Sequence, residues 1–229
     1  MSMRGATAIV GFSEIPTRRT YPGRTMNGLL AEAAREAMKD AQILKEDIDG
    51  LVVEGGDIWP TEVGEYMGLS PNFITGVSTM GASGGTAIAV AAMAIYSGLA
   101  NNVLVTLAAP REAGVAYLGG DGLPPGMRSE FENPYGPAVA ANTGYGLMYS
   151  RHMHEYGTTQ EQLAHIAVNQ RFNALENENA VFQGQPITVQ DVLDSRYINA
   201  PLRLLESVMP CAGGGACIIT SADRAKSFP

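Results

Sequence analysis

A chain of 229 residues that is 45% apolar and 17% charged has the balance of an ordinary globular protein and can bury one large core or two small ones. Its formal charge of −8 is spread along the chain, which argues against general affinity for nucleic acid or anionic membranes, because such partners need a local basic patch. Two cysteines without framework spacing, Cys211 and Cys217, and a start (MSMRGATAIV) with no secretory pattern point to a reducing, cytoplasmic setting.

In chain order, Ala6 to Phe12 predicts a first strand, closed by the turn material Ser13, Pro16 and Pro22. SEIPTRRTYPGRT then reads as a loop whose Arg18, Arg19 and Arg24 form a solvated face, with phosphate binding as the lesser alternative. From Met26 to Ala41 the apolar residues Leu29, Leu30, Ala33, Ala34, Ala37 and Met38 recur at helical spacing with charges opposite, the pattern of a helix covering a sheet. KEDIDG turns the chain into a second strand, Leu51 to Val53, and strand, helix, strand suggests a crossover onto a parallel neighbour.

The next stretch carries no Asp, Glu, Lys, Arg or His between Tyr66 and Pro110. An apolar entry at Phe73, Ile74 and Val77 leads to Gly81, Gly84 and Gly85, then to an Ala-rich run from Thr86 to Leu99, then to the β-type run Val103 to Leu107. The reading is strand, tight turn, helix, strand, with a helix that has no polar stripe and is expected to be buried all round. Ser83, Thr86, Ser97, Asn101, Asn102 and the glycines interrupt any twenty-residue apolar run, so no membrane span is expected.

Arg111 to Tyr149 is rich in Gly, Pro, Asn and Tyr, has no sustained period, and is longer than ordinary connections, as a lid or small subdomain at about 111–157 would be. Helical character returns from Gly144 to Tyr156, capped by Gly157, and from Thr159 to Asn173, where Thr159 and Gln162 form a capping box. Thr188 to Asp194 predicts a short helix, Pro201 to Leu205 an extended segment, and Ala216 to Ser221 a last strand.

Several constellations suggest chemistry. Gly81, Ser83 and Gly85 match the G-x-S-x-G pattern of a nucleophile elbow, with Asp121 and His152 or His154 in hydrolase order. The later chain lacks the regular alternation of strands and helices which that fold needs. His152 and His154, two apart, point to different faces of a helix and cannot chelate one metal, and no metal site is expected. Cys211 and Cys217 read as structural, Cys217 as a small buried hydrophobe.

MGASGGTAIAVAAMAIYSGLANNVLV resembles the nucleophile segment of thiolases, while FENPYG, YSRHMHEYGTTQEQLAHIAVNQRFNALENENA and PLRLLESVMPCAGGGACIITSADRA resemble the sterol-carrier, or lipid-transfer, branch of that superfamily. The resemblance implies an α/β fold in which residues 1–229 form the N-terminal half: a mixed β-sheet with a buried central helix and covering helices, the C-terminal half being absent. It places Gly81 where thiolases carry the nucleophilic cysteine. Glycine cannot form a thioester, so ping-pong acyl transfer through this residue is excluded. Gly213 stands where family members commonly have Asp.

The implied activity is carbon–carbon bond chemistry of the retro-aldol type on acyl-CoA thioesters, in lipid or sterol side-chain metabolism. The coenzyme A thioester is then a substrate, with no covalently bound cofactor. The alternatives are an acetyl-CoA acetyltransferase homologue and a non-catalytic CoA- or lipid-binding subunit. The expected site has the Gly81 amide as an oxyanion donor, with Ala82, Ser83, Gly84, Tyr135 and Gly136 around the substrate. Thiolase relatives imply a homodimer through the 103–107 strand, and the apolar outer face of the central helix calls for a further half or a separate partner subunit.

Overall fold

The computed structural model describes residues 2–55, 59–109 and 141–229. The chain divides into two compact units, Met1–Glu112 with Cys211–Pro229, and Ala113–Pro210. No helix among the described residues is long and apolar enough to cross a membrane.

The first unit is built on a five-stranded sheet of order β1-β7-β4-β2-β3, with β1 at Thr7–Arg18, β2 at Gly50–Glu54, β3 at Phe73–Val77, β4 at Asn102–Ala109 and β7 at Ala212–Ser221. β2 is parallel to β3 and β4, whereas β7 runs antiparallel to both β4 and β1. Three expectations are corrected here. The first strand does not stop at Phe12 but continues to Arg18 through the segment read as a loop. Pro16 is tolerated because β1 is an edge strand and its register is broken between Ile15 and Arg18. The crossover through the first helix does not reach an immediate neighbour, because β7 and β4 lie between β1 and β2.

The third correction concerns the 103–107 segment. β4 is an interior strand, bonded to β2 on one side and β7 on the other, so it has no free edge with which to pair across a two-fold axis. The sheet's open edges belong to β1 and β3.

One face of the sheet is closed by α1, Met26–Asp40. Thr25 caps it, its hydroxyl accepting the Gly28 N–H at 3.1 Å. Leu29, Leu30, Ala33, Ala34 and Ala37 are fully buried against Ile15, Leu51, Val53, Leu104 and Ile218. Gly11 permits this approach: a Cβ there would lie 2.5 Å from the Ala37 carbonyl oxygen. A second covering helix, α2 at Pro60–Met67, starts on a proline and ends at Gly68 with φ +64°, and it contributes Val63 to the same core.

The other face receives α3, Ser83–Tyr96. Ala87, Ala91 and Ile95 pack on Val52, Val103, Val105 and Ile219. The expectation of burial all round is not met. Ile88, Met93 and Tyr96 are 38–47% exposed, because among the described residues of this unit only the sheet lies against the helix.

The second unit contains α4 (Ala141–Tyr156), α5 (Gln160–Leu175), α6 (Val189–Asp194) and a small antiparallel ladder of β5 (Tyr197–Asn199) and β6 (Leu202–Arg203). Gly157 follows α4 with φ +68°, and the Thr159–Gln162 capping box forms as its spacing predicts. Arg203 ties the unit together. Its guanidinium donates to the Ser195 carbonyl, to Gln160 and to the Tyr197 hydroxyl at 2.8–3.2 Å, and it lies over the Tyr197 ring. The short α7 (Ala222–Ala225) closes the chain in the first unit.

Candidate functional site

In an open α/β sheet, ligands bind outside the carboxyl ends of the parallel strands. Three features meet at that end of this sheet. β3 ends at Val77 and leads through Ser78 and Thr79 into a 3₁₀ turn, Met80–Ala82, which opens α3. β2 ends at Glu54, paired with Val77. β4 ends at Ala109, opposite Gly213 on β7.

Gly81 is exposed in that turn, and no atom lies within 4 Å of where a Cβ would stand. Ala82, also exposed, is the N-cap of α3 and makes no side-chain capping bond. Ser83 is 2% exposed and its hydroxyl accepts the Thr79 N–H at 2.8 Å, so it locks the turn and cannot meet a substrate carbonyl. That disposes of the nucleophile-elbow reading. Thr79 and Thr86 hydroxyls, 3.0 Å apart, brace the same turn. Gly84 lines an apolar hollow of about 210 Å³ together with Ile88, Val105, Leu107, Ile9, Phe12 and Cys217. Tyr135, Gly136 and Asp121, with the rest of residues 110–140, lie outside the described residues.

Beside that hollow is a cleft of about 430 Å³ bordered by Glu14, Thr17, Glu54, Ala109, Cys211 and Gly213–Gly215. The sequence reading had not assigned Glu54 a role, although a carboxylate directly after an apolar strand is a legible signal. Cys217 behaves as the buried hydrophobe expected: burial pushes its thiol up to about 11.

The second unit holds a groove of about 380 Å³ along α5. Arg171 on its wall donates to the Gln185 carbonyl at 2.8 Å and covers the Phe182 ring, and desolvation lowers its pKa. Desolvation raises that of Glu206, against the opposing effects of the Arg203 backbone hydrogen bond and charge. Both groups are held by neighbours within the unit. His152 bonds the Thr158 hydroxyl at 2.7 Å and packs on Tyr156, which gives it a structural post at the end of α4.

No protein-family model matches the sequence. The chain is 32% identical over 237 aligned residues to a steroid side-chain-cleaving aldolase of Thermomonospora curvata, covering 98% of this chain and 59% of that protein. It is 31% identical over 235 residues to a 17-hydroxy-3-oxo-4-pregnene-20-carboxyl-CoA lyase of Mycobacterium tuberculosis, covering 99% of this chain and 60% of the relative. Among solved structures, an Ltp2-ChsH2(DUF35) aldolase superposes with a TM-score of 0.88 at 31% identity, over 98% of this chain and 58% of that one. The chain thus spans about three fifths of the length of the relatives it matches. With Gly81 at the turn into α3 and a mixed sheet that superposes on this aldolase, the chain has a thiolase-like fold, and the relatives it matches include steroid side-chain aldolases and acetyl-CoA acetyltransferases.

Proposed function

We infer that this chain is part of an aldolase-type lyase that splits the carbon–carbon bond of β-hydroxyacyl-CoA thioesters with a sterol or other lipid side chain. The observation that carries the reading is the turn into α3. Gly81 offers no side chain, and Ser83 is buried and engaged by Thr79, so the turn presents backbone rather than a nucleophile. Retro-aldol cleavage needs a base and a donor to the enolate oxygen, and no acyl-enzyme. The Gly81 amide, at the start of a helix, is the proposed donor, with Ala82, Gly84, Tyr135 and Gly136 around the thioester.

The test is to incubate the protein with a β-hydroxyacyl-CoA and, separately, with a β-ketoacyl-CoA plus free CoA, and to follow products by mass spectrometry. Release of a ketone or aldehyde with a shortened acyl-CoA supports the lyase. Thiolysis without it assigns the chain to acyl transfer, and binding without turnover assigns it to a carrier subunit. Acyl transfer is the second reading because Cys211 borders the same cleft. A mass increase on Cys211 with acyl-CoA would favour it.

The assembly proposed is a thiolase-like N-terminal domain over residues 1–229, carrying a lid within 111–157, that works with a second half or a separate subunit over α3. Self-pairing, where it occurs, uses the open β3 edge in place of the 103–107 segment. Light scattering with and without Phe73→Pro on β3 checks that assignment.

A further inference from the structure

The α3 side of the sheet carries a cleft whose floor is bare backbone. Along β7 the side chains alternate: Ala216 and Ile218 pack with the α1-side core, Cys217 and Ile219 with the α3-side core. The same alternation turns positions 213 and 215 toward α3, and both are glycine. The 210 Å³ apolar hollow and the 430 Å³ cleft share Phe12, Leu107 and Gly215, so they form one continuous depression, apolar at one end and polar at the other.

Glu54 enters its polar end. Val52 packs toward α3, so Glu54, two residues on, lies on the same face, at the carboxyl end of an interior strand. Its register partner is Val77, four residues before Gly81. The residue is half-buried, and its carboxylate makes no hydrogen bond or ion pair among the described residues. The other carboxylate bordering the cleft, Glu14, is exposed on the edge strand and already engaged.

We propose that Glu54 is the acid–base group of the cleavage and that the glycine-floored depression takes the hydrocarbon attached to the hydroxylated carbon. This rests on the lyase reading above. The Glu54 carboxylate takes the β-hydroxyl proton. The C–O bond becomes a carbonyl as the Cα–Cβ bond breaks, and that electron pair passes into the thioester as an enolate. The proton then returns from the Glu54 carboxylic acid to Cα, so a ketone and a shortened acyl-CoA leave with no redox partner and no net proton.

The experiment measures ketone release from a β-hydroxyacyl-CoA whose β-carbon bears a hydrocarbon ring, using the complex purified through a tag on this chain. Glu54→Gln is expected to lower kcat by about 10²–10⁴-fold, with KM within about threefold of wild type. The acid limb of the kcat/KM profile should vanish with it. Glu54→Asp, which keeps the charge but shortens the reach, should retain the acid limb at a reduced rate. Wild-type turnover with either variant within threefold of it overturns the role of Glu54 and leaves the lyase reading standing. A wild-type complex that releases no ketone overturns both. If Glu54→Gln fails to fold, the Glu54→Asp rate decides.

Discussion

The two faces of the central sheet are finished to different degrees. On the α1 side the helix seals the middle of the sheet, and Leu29, Leu30, Leu51 and Leu104 are wholly removed from solvent. On the α3 side the helix covers only part of the sheet. Ile9, Phe12 and Leu107 remain 38–61% exposed on β1 and β4, alongside Ile88, Met93 and Tyr96 on the helix. Solvent normally penalises such an apolar surface, and in soluble proteins a patch of this kind marks a contact or a binding site. The α1 face therefore holds the fold, and the α3 face, where the glycine floor and Glu54 also lie, is the one available to a ligand and a partner.

The largest expected effect tests the finished face. Leu30→Ala removes a fully buried side chain from the α1 core and should cost about 2–5 kcal/mol in urea unfolding. Ile88→Ala, on the open face, should cost less than about 1 kcal/mol in the same chain. Equal losses would mean that the two faces are equally packed and would break the comparison.

A pH test follows from Cys217, which packs on the open side of the sheet yet is 7% exposed. Its folded-state pKa is raised to about 11 from 9.0, so the folded state holds the thiol proton more tightly than the unfolded chain. The sign is fixed: this contribution is complete below pH 9, and it is lost as pH rises toward 11. Its full size is about 2–3 kcal/mol. Cys217→Ala should flatten that part of the stability profile relative to wild type. Identical slopes for the two proteins between pH 9 and 11 would show that the thiol is in contact with water.

The glycine run of β7 distinguishes the faces within three residues. A Cβ at Gly214 would meet the Leu107 carbonyl oxygen at 2.9 Å and Ala108 Cβ at 3.0 Å, whereas at Gly213 the nearest atom is 3.6 Å away. Gly214→Ala should therefore destabilise by about 1–3 kcal/mol. Gly213→Ala should fold normally. Chemical denaturation curves with the order reversed would contradict the assigned alternation.

What the sequence made legible was local. The period of Leu29, Leu30, Ala33 and Ala37, the Thr159–Gln162 box and the Gly157 cap are each set by residues within a few positions of one another, and each was found where read. The thiolase resemblance supplied the fold and the place of Gly81. What was misread depends on distant partners. β1 was cut short at Phe12, with Pro16 read as turn material, because its position at the sheet edge, which tolerates proline, follows from pairing with β7 some two hundred residues on. The pairing of the 103–107 strand across a two-fold axis came from the thiolase resemblance, and nothing near Val103 reveals that β7 lies beside it. Glu54 became a candidate only when alternation along β2 and the missing side chains of Gly213 and Gly215 were combined.

The smallest expected effect sharpens the open face itself. Met93 is 47% exposed on the outer side of α3, and its side chain is not part of the α3-side core. Met93→Ser should change the stability of the chain by no more than about 0.5 kcal/mol, because surface substitutions away from caps, cores and buried polar groups do little. The same substitution should weaken any association that covers α3, since burying a hydroxyl without a partner costs about 1–3 kcal/mol where burying a thioether gains. The two measurements are paired thermal melts at low concentration and sedimentation over a concentration range, with wild type beside the variant. A loss of 2 kcal/mol or more in the melts would place Met93 inside the chain's own core. Unchanged sedimentation would remove α3 from the contact surface, leaving the depression beside it as a ligand site alone.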